Sequence, residues 1–112
     1  MINKPKRQST NKNIMKIIVL DQWGGSIIIF GQFTVEDFQK IINIAKKYDM
    51  PCLGFIDTIE DTYFNEEQCA DIQKELVTLK NYKELNKNLL HALFRASDTA
   101  VKSESYIKIG KP

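Results

Sequence analysis

Seven acids stand between positions 57 and 75: Asp57, Glu60, Asp61, Glu66, Glu67, Asp71 and Glu75. Lys74 is the only base among them. Three kinds of chemistry compete for such a run. Two carboxylates, Asp57 and Asp61, have the oxygen ligands a hard cation such as Mg2+ takes, or the makings of an acid/base pair. Their spacing matches no calcium-binding loop. The whole run could instead form a negative surface that steers and selects a basic partner. The third reading needs no function: Asp57 caps its own turn, and Glu66 and Glu67 favour the positive end of a helix that starts beside them. Tyr63 stands among these acids, where a half-desolvated aromatic would anchor a partner or its own loop.

Other reactive groups are few. Cys52 and Cys69 have neither the spacing of a metal site nor that of a redox motif, and are expected as buried free thiols. The single histidine, His91, falls mid-helix, and nothing in the sequence brings a cysteine to it as a nucleophile–base couple. Zinc would need more clustered His and Cys than the chain offers. Gly24-Gly25 is followed by an apolar β-branched run and not by a helix, so it is no phosphate-binding loop. There is no nucleophile elbow. The expectation is a protein that is not an enzyme and carries no cofactor.

The elements that position the acids can be taken in order. At 112 residues, with 43% hydrophobic and 27% charged side chains, the chain suits one domain with one core. Residues 1–13 are polar and carry Lys4, Lys6, Arg7 and Lys12 with no acid. They read as a flexible basic tail. The net charge is +2 and the tail carries +4, which leaves −2 for residues 14–112, the expected folded domain. Four charges without an aromatic are a weak nucleic-acid signal. No run approaches the ~20 apolar residues of a membrane span, and no signal-peptide pattern opens the sequence. A cytoplasmic location is expected.

Ile14–Leu20 and Ile27–Phe30 read as two strands of a hairpin, joined by a glycine-bearing turn that holds Trp23. Trp23 is expected either to fold back over the sheet or to stand out as an interface anchor. Thr34 caps a helix running to about Tyr48, with Phe38, Ile41, Ile42, Ala45 and Tyr48 on one stripe. Met50-Pro51 ends it. Cys52–Ile56, CLGFI, is expected as a buried strand, reached by a crossover over one face of the sheet.

Asn65 and Gln68 form a capping box at the start of a second helix, with Phe64 packing on Cys69 ahead of it. Cys69, Ile72, Leu76 and Leu79 make its apolar stripe. A third helix is expected from about Lys83 to Lys102. The final alternating segment, Ser105–Gly110, reads as a strand at a sheet edge, because of Lys108. The order β-β-α-β-α-α-β predicts an α+β domain: a roughly four-stranded, mainly antiparallel sheet with three helices mostly on one face.

The run Asp61-Thr62-Tyr63-Phe64-Asn65 with Gln68, the following Glu75-Leu76, and the last strand ending at Gly110 resemble a group of small bacterial proteins. These share a D-T-x-F-N-x-x-Q segment opening a helix. In size, class and charge the domain also resembles the immunity proteins of bacterial toxin–immunity pairs. That resemblance implies a non-enzymatic inhibitor whose acidic face covers the basic active site of a cognate toxin. The face would comprise Asp57, Glu60, Asp61, Glu66 and Glu67, with Tyr63 and Trp23 as anchors. The alternatives are a small metal-dependent enzyme or regulatory domain using Asp57 and Asp61, and a nucleic-acid-associated protein acting through its basic tail.

Overall fold

The structure, a computed structural model, describes residues 13–23, 25 and 27–112. The expected basic tail therefore lies, apart from Asn13, outside the described residues. The domain is α+β, in the order β-β-α-β-α-α-β. Strands β1 (Ile14–Leu20), β2 (Ile27–Thr34), β3 (Thr62–Phe64) and β4 (Tyr106–Gly110) form one sheet in the order β2-β1-β4-β3. Every neighbouring pair is antiparallel. The helices are α1 (Val35–Lys47), α2 (Glu66–Leu79) and α3 (Lys87–Lys102).

The alternation of β1 decides which face is covered. Met15, Ile17 and Val19 are buried, while Ile14, Lys16, Ile18 and Leu20 between them are only partly so. Ile107 and Ile109 of β4 and Phe64 of β3 join the buried side. The helices meet that side with Phe38, Ile41 and Ala45 of α1, Cys69, Ile72 and Leu79 of α2, and Leu89, Leu93 and Ala96 of α3, all fully buried in one core. Among the described residues no helix covers the opposite face of the sheet.

β2 turns Phe33 as well as Ile28 to the covered side because its period is broken. Ile17 pairs with Gly31 and Ile18 with Ile29, so Phe30 is an extra residue in a β-bulge. Gly31 has φ 155°, and a Cβ there would strike the Phe33 ring. The slip puts Ile28, Phe30 and Phe33 towards the helices. Phe33 meets Phe38 edge-on at 6.5 Å between ring centres, and the Arg95 guanidinium lies 5.8 Å from the Phe30 ring. Ile27, Ile29, Gln32 and Thr34 face the other way.

Three local expectations are corrected. Cys52–Ile56 is not a strand: Leu53–Phe55 is a 3₁₀ turn. Three of its N–H groups are satisfied within the chain's own coil, Gly54 to the Met50 carbonyl, Phe55 to that of Cys52 and Ile56 to that of Leu53. The third strand is the later Thr62–Phe64, and it runs antiparallel to β2 at the far edge, so the link through α1 crosses the whole sheet. The last strand is not at an edge, since β4 lies between β1 and β3. Its lysine is tolerated because Lys108 projects from the open face. The third helix starts later than expected, where Asn86 Oδ1 accepts from the N–H groups of Asn88 and Leu89, at 2.9 and 3.2 Å.

The remaining caps are as read from the sequence. Thr34 accepts from Asp37 N–H at 3.1 Å. Asn65 and Gln68 form the reciprocal capping box, both bonds at 2.8 Å. Phe64 and Cys69 are buried together, with the Cys69 thiol 3.6 Å from the Phe64 carbonyl.

Candidate functional site

β3 and the segments on either side of it hold most of the predicted residues. The approach begins at Asp57, whose Oδ1 accepts from the N–H groups of Ile59 and Glu60 at 2.7 and 3.2 Å. These two bonds hold the Asp57 carboxyl below its usual acidity range, because they stabilise the charged form. Its own N–H donates to the buried Thr62 hydroxyl at 2.9 Å, which ties the turn to β3. Asp57 thus closes a turn with Oδ1.

Asp61 is also engaged. Its Oδ2 lies 3.5 Å from the Lys108 ammonium on the neighbouring strand. Gly110 makes room for it, since a Cβ there would overlap the Asp61 carboxylate. Among the described residues no group of three or more His, Cys, Asp or Glu side chains is arranged to hold a metal ion.

Glu75 and Asp71 leave the run for structural reasons. Asp71 lies 3.9 Å from Lys74 on the same helix. Glu75 turns towards the core side and accepts from the N–H groups of Cys52 and Leu53, at 3.1 and 2.9 Å. What faces solvent from β3 outwards is Glu60, Tyr63, Glu66 and Glu67. Among the described residues none of those three carboxylates takes part in an ion pair. Tyr63 is half-exposed and leans on Tyr106 of β4, ring centres 6.1 Å apart.

Trp23 is 85% exposed in the β1–β2 turn, and β4 lies between β1 and the β3 edge. The expectation that it folds back over the sheet is not met. Its turn is set by Asp21, whose Oδ1 accepts from the N–H groups of Trp23 and Gly25 at 3.0 and 2.7 Å.

Between Tyr63 and Trp23 lies a surface that the strand-by-strand reading missed. Cross-strand register puts Ile27, Leu20 and Tyr106 in one row of the open face, and Ile29, Ile18, Lys108 and Tyr63 in the next. The third row is polar, with Gln32 and Lys16. The signal in the sequence was the alternation itself: Ile18 and Leu20 are as apolar as the core residues between them, so both faces of β1 are apolar at one end.

The rest of the chemistry is dispersed. Cys52 and Cys69 are buried free thiols. Burial, with Glu75 nearby, pushes Cys52 up to about 11, and burial pushes Cys69 up to about 12. Such thiols are poor nucleophiles. His91 is exposed on α3, at the rim of a groove of about 460 Å3 between α2 and α3. Leu76, Val77, Leu90 and Phe94 line that groove, with Lys80 and Lys87. The Lys87 ammonium closes the end of α2, donating to the Lys80 and Tyr82 carbonyls at 2.6 and 3.2 Å. Among the described residues no helix is long and apolar enough to cross a membrane.

Comparison of the chain with protein-family models, with curated proteins and with solved structures returns no match.

Proposed function

We propose that this chain is a non-enzymatic protein-binding domain, an immunity-type inhibitor that covers the basic active site of a bacterial toxin in the cytoplasm. The observation that carries the reading is the state of the carboxylates around β3. Asp57 and Glu75 accept backbone N–H groups and Asp61 pairs with Lys108, whereas among the described residues Glu60, Glu66 and Glu67 stand exposed without ion pairs beside the half-exposed Tyr63. Exposed, unpaired carboxylates keep their field for a partner and speed encounter with a basic surface. Tyr63 supplies an amphipathic ring that such a complex would desolvate.

The contact face is therefore narrower than the acidic run. Glu60, Glu66, Glu67 and Tyr63 make it, while Asp57 and Asp61 hold the backbone that presents them. The test is capture from the native cytoplasm by the tagged chain, compared with a Glu60→Lys, Glu66→Lys, Glu67→Lys triple variant. The expected result is a basic protein retained by the wild type, weakened by salt and lost with the triple variant. Equal retention by both proteins at low salt would remove this face as the interface.

A further inference from the structure

We infer that the β2 edge is an interface between two copies of this chain, in which β2 pairs antiparallel with its counterpart about a two-fold axis through Ile28. The two four-stranded sheets then become one continuous sheet.

Edge strands of soluble proteins ordinarily carry a charge, a proline, a bulge or very short length, because a long apolar edge recruits another strand. The two edges of this sheet differ in this respect. β3 has three residues and is flanked by Asp61 and Glu66. β2 has eight, IIIFGQFT, with neither charge nor proline, and its bulge lies beyond Ile29, which leaves Ile27–Ile29 as the unprotected part. Ile27, Ile28 and Ile29 are 61%, 49% and 54% exposed. Among the described residues, no hydrogen bond outside the ladder to β1 uses the backbone of residues 27–33.

The pattern of exposure selects strand addition over a partner lying flat on the sheet. Ile27 and Ile29 belong to the open face, whereas Ile28 belongs to the helix face, since its cross-strand neighbour is the buried Val19. A partner on the open face would cover the first two and leave Ile28 in water. A strand added at the edge covers all three.

The choice of a second copy follows from symmetry and charge. The bulge at Phe30-Gly31 limits regular pairing to the stretch before it. Within that stretch the triplet is its own complement: an antiparallel register centred on Ile28 sets Ile27 against the partner's Ile29, and Ile28 against the partner's Ile28. Antiparallel pairing of identical strands is a two-fold contact, the commonest symmetry of homo-oligomers. The strand carries no charge, so the contact has no like-charge repulsion and offers nothing to a strongly charged partner. The acid-flanked β3 remains at both outer edges, so this inference does not depend on the proposed function.

Analytical ultracentrifugation of the full chain tests it, together with an Ile28→Lys variant that sets two ammonium groups face to face at the axis. The wild type is expected to sediment at twice 12.9 kDa, and the variant at 12.9 kDa with an unchanged circular dichroism spectrum. An Ile28→Cys variant provides a second readout. The native thiols are buried, so mild oxidation is expected to cross-link this variant at least ten-fold faster than Val77→Cys, a control at an exposed helical position. A monomeric wild type, an Ile28→Lys variant that stays dimeric, or equal cross-linking of the two cysteine variants would overturn the inference.

Discussion

Glu75 holds Leu53 across 22 residues of chain: its carboxylate accepts the Leu53 N–H at 2.9 Å and the Cys52 N–H at 3.1 Å. One side chain of α2 thereby caps the 3₁₀ turn and keeps the apolar segment Cys52–Ile56 coiled. Glu75→Ala leaves two partly buried donors without their acceptor and is expected to destabilise the domain by about 1–3 kcal/mol. Glu75→Gln keeps one acceptor oxygen and should lose less. Urea unfolding of the three proteins checks the ordering, and an alanine variant as stable as wild type would remove the cap from the account.

Asp61 and Gly110 fit one another across β3 and β4. Gly110→Ala places a methyl group where the Asp61 carboxylate lies, and is expected to cost about 1–3 kcal/mol. In an Asp61→Ala background the same change should cost much less, because the colliding group is gone. Asp61→Ala alone also breaks the pair with Lys108, a half-exposed contact worth about 0–1 kcal/mol. A double-mutant cycle with no coupling would contradict this packing.

Asp57 links the acidic turn to acid stability. Its folded carboxyl sits below the ordinary 3.8 because two turn N–H groups favour the ionised form. A group lowered in this way stabilises the fold above its unfolded pKa, and the contribution is lost as pH falls through the folded value. Asp57→Asn should lower the melting temperature at pH 7 and shallow the decline below pH 4. Thermal melts at pH 7, 4 and 3 read both effects, and parallel curves for the two proteins would refute the role.

The thiols report on the core. Cys52 and Cys69 are raised from an ordinary 9.0 to about 11 and about 12. The folded chain therefore keeps protons that the unfolded chain releases. Their contribution to stability is intact below about pH 9 and is lost as pH rises towards 11 and beyond. A Cys52→Ala, Cys69→Ala double variant should show a shallower alkaline decline. At pH 8 an aromatic disulfide reagent should label neither thiol quickly in the folded protein and both in guanidinium. Fast labelling of the native chain would place a cysteine outside the core.

Much of the scaffold was legible because local chemistry and packing agreed. Thr34 and the Asn65–Gln68 pair have the side-chain acceptors that helix starts require, and the stripes of α1 and α2 repeat at helical spacing. Phe64 read as core on the same grounds. Cys52–Ile56 misled because a short apolar run has no period that separates strand from turn. What coils it is Glu75, far along the chain. Lys108 misled because a lysine suits an edge strand and equally suits an open sheet face beside an aspartate.

The sequence alone determined the class of the domain, the order of its element types, the caps of α1 and α2 and their inward stripes, since each depends on residues within a few positions of one another. Tertiary structure alone decided that two of the seven acids are engaged far along the chain: Glu75 by the N–H groups of Cys52 and Leu53, and Asp61 by the Lys108 ammonium. It also decided that Trp23 stands exposed and that Ile27–Ile29 lies at an edge. Strand order is set by long-range pairing, and a residue's own neighbours in sequence carry no record of it.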